Sequence, residues 1–206
     1  MSEHTLDGQR FARMWRALGA KDATAFEAIA AAYRSEGRAY HDCEHIRECL
    51  AYFDRVRDRA QQPDHVEAAI WFHDVVYDTS KHDNEASSAD LASELASSAG
   101  IAPADAEVIA ALVLCTKHDA PAPGHDAELL RDVDLSILGA SPERYARYER
   151  DIRREYAAVP EDLYRQARRH VLGKFLERLA IYQTPYFYER LESQARENLA
   201  RAIAAL

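Results

Sequence analysis

Residues 63–79 read PDHVEAAIWFHDVVYDT, and this stretch decides the fold class. Pro63 suits the first turn of a helix, where a missing N–H costs nothing. Ala68, Phe72 and Val75 then recur at steps of three and four, the mark of one helical face. The spacing predicts a helix from Pro63 to about Tyr77. Its run AAIWF calls for burial, and His73-Asp74 follows directly. An imidazole and a carboxylate buried side by side are costly unless they are paired or hold a metal.

The same period continues outward. Phe11, Met14, Trp15 and Leu18 mark a first helix, and Ala23 to Tyr33 a second. Ile46, Cys49, Leu50 and Phe53 sit at i, i+3, i+4, i+7, predicting a third over about 41–58. Asp83-Asn84-Glu85 can cap a helix that ends near Gly100, and Pro103 opens one carrying Val108, Ile109, Leu112 and Cys115. PAPGH (121–125) reads as a loop. Further helices follow at about 126–138, from Ser141-Pro142, from Pro160 to about 182, and from Pro185 to Leu206. No apolar–polar alternation is long enough for a strand. The expectation is an all-α chain of about ten helices forming one domain, 1–206.

Composition agrees. At 206 residues with 48% hydrophobic and 30% charged, the chain can bury a sizeable core and does not read as disordered. Its longest apolar run, Val108–Cys115, has 8 residues against the about 20 that a membrane span needs, so no membrane is expected. The start MSEHTLDGQR has no apolar core of a secretory signal. A net charge of −9 argues against binding a nucleic-acid backbone but leaves room for a local phosphate pocket. The cysteines Cys43, Cys49 and Cys115 are odd in number and lack CxxC spacing, so they read as reduced thiols of a cytoplasmic protein. The Tyr145, Tyr148, Tyr156 and Tyr164 series reads as helix packing, and Arg153-Arg154 and Arg168-Arg169 as solvated faces.

The histidines and acids carry the chemistry. Nine His and 17 Asp in 206 residues give fewer than one His-Asp pair by chance, yet five occur, at 41–42, 73–74, 82–83, 118–119 and 125–126. His82-Asp83 and His125-Asp126 lie where helix caps are expected. A His118 ending a helix is partly explained by the helix dipole. His41 and His45 lie at i, i+4, off the stripe of Ile46, Cys49, Leu50 and Phe53. An HxxxH face is a two-point arrangement for metal or acid–base work. Asp132 and Asp134 stand beside the apolar Leu135, Ile137 and Leu138.

In order, His45, His73-Asp74 and Asp134 resemble the H…HD…D metal site of the HD-domain superfamily of metal-dependent phosphohydrolases, which are all-α. YHDCEH (40–45) is similar to the YHxxxH element of cyclic-nucleotide phosphodiesterases, which implies His41 as general acid and His45 as ligand. FHDVVYDT (72–79) resembles the HDVVEDT element of (p)ppGpp hydrolases, with Tyr77 in place of Glu. DVDLSILG (132–139) resembles the ADRLHN and DADRL elements, whose ligand falls on Asp134. The RxYHxxxHI start and the R-E-Y and A-R-E-N-L segments look most like a bacterial family of predicted metal-dependent HD-superfamily phosphohydrolases. No Gly-Lys follows His73-Asp74, unlike the cyclic-di-GMP enzymes of HD-GYP type.

The resemblance implies a metal-site core at about 40–139 with a helical extension over 140–206. His45, His73, Asp74 and Asp134 would hold a divalent Mn, Fe, Co, Ni or Zn ion, which imidazole and carboxylate suit better than Mg. Asp78 would orient water, and Lys117 and His118 would contact the phosphate. The substrate would be a small phosphomonoester or phosphodiester, nucleotides among them, and a homo-oligomer is left open. Two other functions share this pattern: a di-iron oxygenase, and a nucleotide-binding domain without turnover. A full two-metal set asks for two more imidazoles, His118 and either His82 or His125.

Overall fold

The computed structural model describes residues 5–118 and 120–206, so Asp119 of the fourth His-Asp pair lies outside it. Among the described residues there is no strand, and ten α-helices follow in order. They are α1 (Gly8–Ala17), α2 (Ala25–Ala32), α3 (Cys43–Phe53), α4 (Pro63–Phe72), α5 (Asn84–Ser98), α6 (Pro103–Leu114), α7 (His125–Asp134), α8 (Pro142–Glu155), α9 (Glu161–Leu176) and α10 (Pro185–Ala205). Proline opens four of them, at Pro63, Pro103, Pro142 and Pro185. Among the described residues no helix is long and apolar enough to cross a membrane.

The chain divides into two compact units, one up to Val133 and one over Asp134–Leu206. The division falls inside α7, whose last residue is Asp134.

The first unit is built on an aromatic cluster. Phe11 of α1 stacks on Trp15 and meets Trp71 of α4 edge-on, while Trp15 lies 5.5 Å from Phe72. Phe11, Trp15, Trp71 and Phe72 are all fully buried. Helix α4 packs between α1, α3 and α6, and α5 lies along α6. Residues after Gln62 are held in place from α7: the Asp126 carboxylate accepts from the N–H groups of Gln61 and Gln62, both at 2.8 Å. The cap expected of His125-Asp126 therefore serves the start of another helix, and His125 itself sits 3.1 Å from the Arg59 carbonyl. On α4, Glu67 is buried between the guanidinium groups of Arg10 and Arg57.

In the second unit, Leu135–Gly139 forms a 3-10 turn against α10. The Tyr182 hydroxyl donates to the Leu135 carbonyl at 3.0 Å, and the Asn198 amide donates to Leu138 and Ala140, both at 2.9 Å. This closeness requires glycine at 139, where a Cβ would stand 2.8 Å from the Leu191 carbonyl oxygen. Gly139→Ala is expected to cost about 1–3 kcal/mol by forcing the turn off α10, read as a lower denaturation midpoint by circular dichroism. Arg168 departs from the solvated face expected of it. Its side chain is nearly buried, pairs with Glu149 at 2.7 Å and lies over the Tyr148 ring. Arg153 likewise donates to the carbonyls of Tyr156 and Val159 and lies over Tyr164.

Candidate metal centre

Two helix ends build the centre. Helix α3 starts at Cys43, not at 41, because Asp42 caps it: its carboxylate accepts from the N–H groups of Glu44 and His45. His41 therefore precedes the helix and does not share a helical face with His45, a correction to the i, i+4 reading. Its ring still lies 6.0 Å from that of His45 and stacks on Tyr77 at 4.1 Å. His45 points inward from the first turn of α3 and is only 2% exposed.

Helix α4 ends at Phe72, short of the expected Tyr77, and His73-Asp74 begins the turn beyond it. Arg38 ties down the turn that follows: its guanidinium donates to the carbonyls of His41, Asp74 and Val75 at 2.7–2.9 Å. One side chain thus ties the segment before α3 to the segment after α4. Ser88 of α5 receives the Val76 N–H at 3.1 Å, and Asn84 exchanges two hydrogen bonds with the backbone of Asp78. Arg38→Lys keeps the charge but loses the fork. It is expected to cost about 1.5–3 kcal/mol, with faster hydrogen exchange at the amides of residues 75–78.

The donors converge closely. The Nε2 atoms of His45 and His73 are 3.0 Å apart, and Asp74 Oδ2 lies 3.0 Å from the latter and 3.5 Å from the former. His73 Nδ1 is 2.9 Å from the Ile70 carbonyl, which only accepts, so Nδ1 carries the proton. His73 Nε2 then faces the Asp74 carboxylate and the Nε2 of His45, where a second ring proton or a metal ion completes the contact. Three donors on one ion at about 2.0–2.1 Å stand about 2.9–3.5 Å apart at angles from square to tetrahedral, which the observed separations match. Burial pushes the Asp74 carboxyl up. The imidazoles of His73 and His41, with bonds from His45 and His73, outweigh that and hold it well below the usual carboxylate range. It is therefore charged, the form that ligates metal.

His45, Cys49, His73 and Asp134, the first three buried and Asp134 half-buried, each offer a donor atom within 4.8 Å of the others and could hold a metal ion; Asp74, expected among the ligands, is not in this group. Asp134 is placed there by the end of α7, while Asp132 is fully buried and outside the group. No family model, curated protein or solved structure matches the chain.

The remaining residues picked from the sequence lie as follows. Asp78 is half-exposed, and its carboxylate accepts from the N–H and hydroxyl of Ser80 at 2.9 and 2.6 Å. Those bonds lower its pKa. Lys117 is exposed and His118 half-buried with φ 58°, both at the turn beyond α6. His82 is exposed on the loop before α5. None of His82, His118 and His125 belongs to the donor group. Sequence reasoning missed Cys49, because a thiol in the stripe Ile46, Cys49, Leu50, Phe53 reads as one more apolar side chain. Its spacing from His45, one helical turn, was the available signal.

Proposed function

We propose that this protein is a metal-dependent phosphoester hydrolase of HD type, acting on a small phosphomonoester or phosphodiester, nucleotides included. The carrying observation is the buried His45–His73 pair with the charged Asp74 carboxylate against it. His45, His73, Asp74 and Asp134 would hold a divalent ion. Such an ion neutralises phosphoryl charge and lowers the pKa of water toward about 7. The rest falls to the chain's own residues. His41, half-buried on Tyr77 and beside the donors, is placed to hand a proton to the leaving oxygen. Arg38 holds the His41 and Asp74 backbones together and so fixes acid and ligand in one geometry. Lys117 and His118 are assigned to the phosphate. Asp78 enters as a residue that closes the loop over Ser80.

The test is a phosphoester panel run with Mn, Fe, Co, Ni and Zn, with and without chelator. Turnover that follows one metal and disappears on chelation is expected. His41→Asn should keep the metal and lose about 10²–10⁴-fold in kcat. Bound metal with no turnover on any ester would leave a binding domain instead, and two bound irons with visible absorption would point to oxygenase chemistry.

A further inference from the structure

Within the second unit, α8 and α10 leave a cleft of about 380 Å³ between them, and the start of α9 forms part of its wall. It stays open because alanine stands where the two helices face each other. Ala146 on α8 and Ala202 and Ala205 on α10 are too short to fill the space as interlocking ridges would. The rings of Tyr145 and Tyr164 and the Leu206 side chain add to a lining that is mostly apolar. Packed proteins leave few voids larger than a water molecule. The volume falls at the lower end of the range of small-molecule sites, about 300–1,000 Å³.

The charges around the cleft do not balance. Both carboxylates that line it are already taken: Glu149 accepts from Arg168 at 2.7 and 3.1 Å, and Glu161 pairs with Arg153 at 3.0 Å. Arg150, exposed at the rim, makes no hydrogen bond or ion pair among the described residues. Arg201 touches only Asn198 Oδ1, at 3.5 Å, and shares its field with Glu143. A cationic rim on an apolar cleft runs against a chain whose net charge is −9. We propose that this cleft binds a small amphipathic monoanion, a medium-chain carboxylate. Its apolar body lies against Ala146, Ala202 and the Tyr164 ring, and its carboxylate is held by Arg150 and Arg201. Burial of the apolar body drives binding, and the guanidinium groups favour an anionic head over a neutral one of the same length. A polyanion is disfavoured, since the Asn198 amide is spent on the carbonyls of Leu138 and Ala140.

Calorimetric titration of the full chain with octanoate and with octanol tests the proposal. The expected result is one octanoate per chain, bound more tightly than octanol. Arg150→Gln and Arg201→Gln should each weaken octanoate by about 2–5-fold, and together by about 5–20-fold, with octanol unchanged. Ala202→Trp fills the cleft and should abolish binding of both. Ala146→Trp does the same from an exposed position on α8, so the result stands even if Ala202→Trp does not fold. No heat with either compound, equal affinity for the two, or octanoate binding that survives Ala146→Trp in a folded protein would overturn the proposal. Sedimentation velocity adds one more outcome: a dimer that octanoate leaves intact and Ala146→Trp breaks would assign the cleft to a second copy of the chain and overturn it too. None of these readouts involves a metal, so the cleft and the metal centre stand or fall separately.

Discussion

Asp74→Asn is expected to strip the protein of tightly bound divalent metal while its helices stay folded. The amide keeps the size of the carboxylate but carries no charge. Its loss leaves two imidazole nitrogens 3.0 Å apart without their anionic partner. Affinity should fall by more than the about 10–100-fold seen when an outer-shell partner is removed, and any phosphoester turnover should fall to background. The fold survives because Arg38 grips the Asp74 carbonyl, not its carboxylate, and the aromatic core does not include it. Elemental analysis after dialysis, paired with a circular dichroism spectrum, checks both halves. Full metal content in Asp74→Asn would remove Asp74 from the ligands and leave His45, Cys49, His73 and Asp134 to hold the ion.

Phe72→Ala should produce the largest loss of stability. Phe72 is fully buried, lies 5.5 Å from Trp15 and 6.4 Å from Phe11, and immediately precedes His73. Truncating a buried phenylalanine costs about 3–5 kcal/mol through lost transfer energy and the cavity left behind. In a chain of this size that lowers the midpoint by roughly 6–20 °C. Both tryptophans of the protein, Trp15 and Trp71, sit in the same cluster. Their fluorescence therefore follows the loss directly. A drop of only a degree or two would mean that the cluster closes over the gap, and that α4 owes its position mainly to Arg38 and Asp126.

The helices were legible because their signals are local. Proline at four starts and a repeat of three and four needed no knowledge of the rest of the chain. Of the four ligands that the resemblance implies, His45, His73 and Asp134 fall in one group of donor atoms, and Asp74 stands against the two imidazoles outside that group. What escaped depends on distant partners. The turn after α4 is held by Arg38, whose three carbonyl acceptors lie on two separate segments. The start of α3 turned on whether Asp42 would cap or continue, and the capping bonds decided it. Cys49 escaped because a thiol in an apolar stripe reads as packing, and only the fold brings it beside His73 and Asp134. The division at Val133 and Asp134 carries no glycine or proline mark, since α7 runs straight through it.

The bonds from Asp126 to the N–H groups of Gln61 and Gln62 also impose an order on events at the ribosome. The start of α4 lacks this cap until a residue about 64 positions further on has been made. At about 5–20 residues per second, that is a wait of roughly 3–13 s. His45, Cys49, His73 and Asp74 are all synthesised within that interval or before it, and Asp134 follows Asp126 by two turns of α7. A nascent chain therefore carries most of the candidate donor group before the start of α4 is capped. An ion offered early would meet these side chains loose, and one offered late would meet them in place.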